Sequence, residues 1–162
     1  MAAALKDNID RSTVELLGKQ FAAVSPGFDG DGFAASVAER LDDLELKDRI
    51  NLVADRLAET LPGRYPDALE LVVAVAETQV GEWAAWPLCS FVERHGADWP
   101  TESLDAMSSL TKAFSCEFAI RPFLEHHLEL TRTYLHRWAE DPDEAVRRLP
   151  SEGTRPLLPW GP

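Results

Sequence analysis

The stretch Trp138-Ala139-Glu140-Asp141-Pro142-Asp143-Glu144-Ala145-Val146-Arg147-Arg148-Leu149 reads as one helix ending and the next beginning. Asp141 is placed to cap, Pro142 falls at the first helical position, where a missing N–H costs nothing, and Val146 and Leu149 turn to the core. Arg147 is then left to project from the layer. This is the second-helix pattern of stacked helix-pair repeats, and it favours an open α-solenoid over a closed bundle. A capped amphipathic helix in a bundle would read the same way, so the pattern alone leaves both architectures open.

Working outward, the rest of the chain divides into segments of the same kind. Ser12-Thr13-Val14-Glu15 has the form of a capping box ahead of Val14, Leu17, Phe21 and Val24, which recur at helical spacing up to Pro26-Gly27. Asp29-Gly30-Asp31-Gly32 resembles a calcium loop, but Phe33 stands where a third oxygen ligand belongs, so it reads as a turn into a helix starting at Asp31. Leu46, Ile50, Val53 and Leu57 make a third stripe that stops at Pro62-Gly63; Leu69, Val72, Val73 and Ala76 make a fourth, opened by Tyr65-Pro66 and closed at Gly81. Pro87 is expected to open a fifth segment running to His95, and Thr101 to cap a sixth carrying Leu104, Met107, Leu110 and Phe114. Phe118 to Leu124, Leu128 to Trp138 and Pro142 to Leu149 complete about nine short helices. Hardly any β-branched alternation interrupts them, so the fold class expected is all-α, with antiparallel helix pairs concave on one side. Helices of about 10 to 14 residues are marginal alone and must bury their stripes on neighbours.

The 162 residues suit one domain, and 45% apolar with 27% charged residues excludes disordered, collagen-like and disulfide-scaffold classes. No apolar run reaches the roughly 20 residues of a membrane helix, and Met1 to Lys6 lacks the form of a secretory signal, so a cytoplasmic protein is expected. Cys89 and Cys116 then read as reduced, buried thiols. His95, His126, His127 and His136 lack metal-ligand spacing, since neighbours on a helix point about 100° apart, and neither metal nor cofactor is expected. No phosphate-loop, nucleophile-elbow or zinc-protease motif occurs. Trp83, Trp86 and Trp99 read as packing residues at helix ends.

Net charge is −12, which opposes a polyanion partner, but the charge is unevenly spread. Residues 1–111 carry 9 Lys and Arg against 20 Asp and Glu, a net −11, whereas residues 112–162 carry 7 against 8, a net −1. Six of those seven late cations are arginines, so a local basic face is permitted there.

Two late stretches use residue types that are costly for architecture alone. In Glu117-Phe118-Ala119-Ile120-Arg121-Pro122-Phe123-Leu124, a proline inside a helical pattern would kink the helix and re-aim Glu117 and Arg121; alternatively these two form an i,i+4 pair worth about 0.2 to 0.5 kcal/mol. Ser151-Glu152-Gly153-Thr154-Arg155-Pro156-Leu157-Leu158-Pro159-Trp160-Gly161 reads as a helix end followed by a rigid loop leading to Trp160.

These residues resemble a known family. E-F-A-I-R-P-F-L at 117–124 and W-A-E-D-P-D-E-A-V-R-R-L-x-S-E-G-T-R-P-x-L-P-W-G at 138–161 resemble the AlkC branch of the AlkC/AlkD DNA glycosylases. Leu5-Lys6-Asp7, Pro26-Gly27-Phe28 and Leu44-Glu45-Leu46-Lys47-Asp48-Arg49 extend the resemblance over the whole chain. It implies a HEAT-like α-solenoid that holds duplex DNA on its concave face and hydrolyses the N-glycosidic bond of cationic methylated bases, the 3-methyladenine and 3-methylcytosine class. Mapped residue by residue, the resemblance makes Glu117 and Glu152 the active-site carboxylates and Trp160 the aromatic that contacts the lesion. Arg121, Arg147, Arg148 and Arg155 become DNA-contacting or site-shaping cations.

Such residue types suit the chemistry. An alkylated base is already a cationic leaving group and needs no general acid, so what remains is to stabilise an oxocarbenium-like sugar and to orient water. The family pattern has a small residue at 150 and a basic one at 157; Pro150 is therefore expected to end or kink the helix before Glu152, and Leu157 to remove a phosphate contact. The chain is expected to be the N-terminal part of a longer architecture and a monomer acting on alkylated duplex DNA. The competing expectation is a non-catalytic HEAT-like module that binds DNA or a protein.

Overall fold

The computed structural model describes residues 4–157. A 3-10 turn over Leu5–Asn8 leads into α1 (Arg11–Val24), α2 (Gly30–Leu41), α3 (Leu46–Thr60), α4 (Tyr65–Glu77), α5 (Glu82–His95), α6 (Pro100–Ala113), α7 (Arg121–His126), α8 (Leu128–Ala139) and α9 (Glu144–Gly153). No strand forms among the described residues, and none of their helices is long and apolar enough to cross a membrane. The helices stack in two layers: α2, α3 and α5 follow one another in one, and α1, α4, α6 and α9 in the other. This is the helical solenoid that the repeat pattern favours.

The apolar stripes of α1, α3 and α6 lie where their spacing puts them, whereas in α4 Val75 is buried in the core and Val73 of the expected stripe is only half-buried. Val14, Leu17 and Phe21 of α1, Ile50, Val53 and Leu57 of α3, and Leu104, Met107 and Leu110 of α6 are all fully buried in one continuous core. Several helix boundaries differ from expectation, for local reasons. The Asp10 carboxylate accepts the Thr13 N–H at 2.9 Å and the Ser12 hydroxyl at 2.7 Å, so the stronger acceptor takes the cap and Ser12 becomes its donor. Helix α2 begins at Gly30, one residue before the expected start at Asp31, with Asp29 as its cap. Pro100 occupies the first turn of α6 ahead of Thr101. Asp143, not Asp141, caps α9 through Ala145 N–H, while Asp141 accepts the Asp143 N–H, both at 2.9 Å.

Three prolines behave differently from expectation. Pro87 lies inside α5 rather than opening it, because every residue from Ala84 to Val92 is buried and that packing outweighs one lost hydrogen bond. Pro122 sits in the first turn of α7, so it kinks nothing; Glu117 lies in the preceding turn and is not in helical register with Arg121. Pro150 lies within α9, which continues through Glu152 to Gly153, held by buried Val146, Leu149 and Gly153. The helix end before Glu152 anticipated from Pro150 is therefore corrected.

Helices α1 and α2 touch backbone to backbone at Gly18 and Gly30, where a Cβ on either would strike the other's carbonyl oxygen. Neither atom can yield as a side chain could. Gly18→Ala is expected to lower stability by about 1 to 3 kcal/mol, the usual cost of overpacking, despite alanine's better helix propensity. Urea denaturation checks this, and a midpoint at or above wild type would show that the helices separate freely.

Candidate active site

Between α6 and α7 the chain crosses Phe114 to Ile120 without forming a helix, and this loop is anchored on its apolar side. Phe114 and Phe118 stack on Trp86 with ring centroids 4.8 and 5.8 Å away, and the Lys47 ammonium lies 4.5 Å over the Phe118 ring. Cys116 is fully buried, its Sγ 3.3 Å from that of Cys89, and both thiols are free. With Cys116 and Phe118 fixed inward, the half-buried Ser115 and Glu117 are left at the surface of the loop.

The last turn of α9 lies against this loop. A Cβ on Gly153 would come within 2.5 Å of Ile120 Cγ2 and 3.8 Å of Glu117 Cα, so the missing side chain lets the helix approach the Glu117 backbone. Glu152, one residue earlier, has a side chain only 14% exposed. Its Oε1 accepts from Arg148 Nη2 at 2.7 Å and Nε at 3.1 Å, and its Oε2 accepts from the Ser115 hydroxyl at 3.2 Å. Together these groups line a cleft of about 250 Å³ with Glu82, Lys112 and Ala145. A carboxylate at a helix C-terminus faces the negative end of the macrodipole, an unfavourable position that Arg148 offsets.

Glu117 and Glu152 lie within each other's field. Burial first, then the negative charge of Glu152, raises the Glu117 carboxyl above its ordinary value; Arg155, Arg148 and Arg121 act in the opposite direction. Two neighbouring carboxylates, one desolvated and one held by an ion pair, are an arrangement that separates acid-base roles.

Arg121 and Arg155 border the pair, and the Arg121 guanidinium donates to the Arg155 carbonyl. Arg147 is engaged elsewhere: its Nη1 donates to the carbonyls of Asp141 and Pro142 at 2.8 and 2.7 Å, closing the turn between α8 and α9. Trp160 lies outside the described residues. Reading the sequence missed Ser115 and Lys112, the latter lining the same cleft with a half-exposed side chain. Neither carries a motif; only the fold brings them to Glu152, 37 residues from Ser115.

No protein-family model matches the chain. A Bacillus subtilis (strain 168) protein described as "Uncharacterized protein YhaZ" is 36% identical over 163 residues, covering 98% of this chain and 44% of that protein. Among solved structures, Pseudomonas fluorescens alkylpurine DNA glycosylase AlkC bound to DNA containing an abasic site analog matches with a TM-score of 0.93 and 34% identity. That match covers 99% of this chain and 45% of the other, so the chain spans less than half the length of both proteins. In sequence and in helical architecture alike, the chain is AlkC-like over virtually its entire length.

Proposed function

We propose that the chain serves DNA alkylation repair as a DNA glycosylase, hydrolysing the N-glycosidic bond of cationic N-methylated bases of the 3-methyladenine and 3-methylcytosine class in duplex DNA. The observation that carries this reading is that the last turn of α9 sets Glu152, held by Arg148 and Ser115 in the cleft, against the loop that carries Glu117, whose carboxyl feels the charges of Glu152, Arg155, Arg148 and Arg121. A solved relative of the same fold is bound to DNA with an abasic site analog, the kind of product such a reaction leaves.

In this mechanism the base departs with the electrons of its glycosidic bond and becomes neutral, so no acid is required. Glu152, held by Arg148, stabilises the positive sugar electrostatically, and Glu117 orients a water and takes its proton as that water adds to the sugar carbon. Trp160 supplies an aromatic face to the charged lesion, a cation–π contribution of about 0.5 to 2 kcal/mol that a neutral base does not receive. We also infer that the chain forms the N-terminal part of a longer solenoid and that Arg121 and Arg155 meet DNA phosphates, Arg147 and Arg148 being engaged within the protein.

The test is release of free methylated base from alkylated duplex, followed by mass spectrometry. Base release supports the glycosylase; salt-dependent duplex binding without release supports a DNA-binding module instead. A pH dependence follows from Glu117. Because its carboxyl is raised and must be ionised to accept a proton, the single-turnover rate is expected to hold above that carboxyl's midpoint and to fall as pH drops through it. Glu152→Gln removes the neighbouring negative charge and is expected to move the remaining acidic limb to lower pH. A limb that stays in place would separate Glu117 from the titration.

A further inference from the structure

The Glu152 carboxylate is held on both oxygens, and by residues from two different elements. Arg148 lies one helical turn back on α9 and reaches Oε1, while Ser115 comes from the loop that carries Glu117 and reaches Oε2. Ser115 stands two residues before Glu117, and buried Cys116 and Phe118 fix the backbone on both sides of it. A displacement of this loop would therefore move Glu117 and one anchor of Glu152 together.

We propose that Ser115 is a positioning residue, which with Arg148 holds the two Glu152 oxygens in one orientation beside Glu117, and that Arg148 serves this ion pair in place of a DNA phosphate. The proposal rests on reading Glu117 and Glu152 as the site carboxylates. A lone Arg148 on the surface would be a plausible phosphate ligand by charge. Here its Nε and Nη2 both point at Glu152 Oε1, which occupies the edge that bidentate phosphate recognition uses. The hydroxyl of Ser115 donates to the second oxygen.

The charged groups around the pair are Arg148 and Arg155 from α9 and the residues after it, Arg121 from α7, Lys112 from α6 and Glu82 from α5. The test has two readouts. In a carboxyl-carbon NMR titration of the chain, with the Glu117 signal identified by its loss in Glu117→Gln, Ser115→Ala is expected to lower the Glu117 midpoint, because Glu152 is freed to swing away. Ser115→Thr, which keeps the hydroxyl, is expected to restore it. A Glu117 midpoint in Ser115→Ala equal to wild type overturns the role given to Ser115.

The second readout is the salt dependence of duplex binding. Arg148→Gln is expected to keep the wild-type slope of log affinity against log salt, and a slope reduced by about one would overturn the role given to Arg148, since that is the signature of one lost phosphate contact. In the base-release assay, Ser115→Ala is expected to be about tenfold slower than wild type with duplex affinity unchanged, the scale of one lost hydrogen bond to a charged group. A chain that neither binds nor cleaves DNA would sink the functional reading, while the carboxyl titration would still decide the geometric one.

Discussion

Replacing Glu117 with glutamine is expected to slow release of methylated base from duplex DNA by about 10²- to 10⁴-fold, the range for loss of a positioned general base. Glutamine keeps the shape of the side chain but cannot accept the proton. The variant should fold as well as wild type, and the sign of the Glu117 shift says why. Its carboxyl is raised in the folded protein, first by burial and then by Glu152, so the ionised form is disfavoured on folding and contributes no stability at neutral pH. A thermal midpoint at or slightly above wild type, together with undiminished binding to an abasic duplex, would separate lost chemistry from lost structure. Activity within a few-fold of wild type would remove Glu117 from the mechanism.

The largest expected effect on stability comes from the other end of the chain. Arg49 of α3 is buried, 6% exposed, and spends its guanidinium on main-chain carbonyls: Nε donates to Leu44 at 3.0 Å, and Nη1 to Lys6 at 3.0 Å and Ile9 at 3.1 Å. It thereby ties the N-terminal turn and the α2–α3 connection to α3. Arg49→Met fills a similar volume but takes the guanidinium from three carbonyls, of which Lys6 keeps the Ile9 N–H while Leu44 and Ile9 lose this donor, each such loss costing about 1 to 3 kcal/mol where water cannot reach. A loss of about 3 kcal/mol or more is expected, which for a chain of this size lowers the thermal midpoint by about 6 to 12 °C. Circular dichroism on heating checks it. An unchanged midpoint would mean that water replaces the guanidinium. The same residue belongs to the Leu44-to-Arg49 segment that carries part of the family resemblance, and its structural work gives that segment a physical reason.

Both predictions mark the boundary between what is local and what is not. Helix after helix was legible in the chain because an apolar residue every three or four positions has only one way to bury itself, and those stripes are the core found here. Helix ends were legible only in part. Where a serine and an aspartate compete for the same orphan amides, as at Asp10 and Ser12, the outcome depends on acceptor strength and on the path of the preceding turn. The prolines misled for a related reason: Pro87 and Pro150 each remove one hydrogen bond, but α5 and α9 are held by burial that is summed over many residues.

The site divides along the same line. Glu117 and Glu152 stand out in the sequence by their place in two unusual stretches, and the resemblance to a glycosylase family names them. Their proximity, the ion pair on Arg148, the Ser115 hydroxyl and the use of Arg147 on a turn are decided by α9 lying against the loop between α6 and α7. Periodicity is a property of neighbours along the chain, and it determined that this protein is helical, while the choice of a stacked solenoid over a closed bundle was left to the packing between helices. The meeting of residues 115, 117, 148 and 152 joins positions up to 37 apart, and it depends on a side chain that is absent at Gly153, whose effect is felt only once the two elements touch.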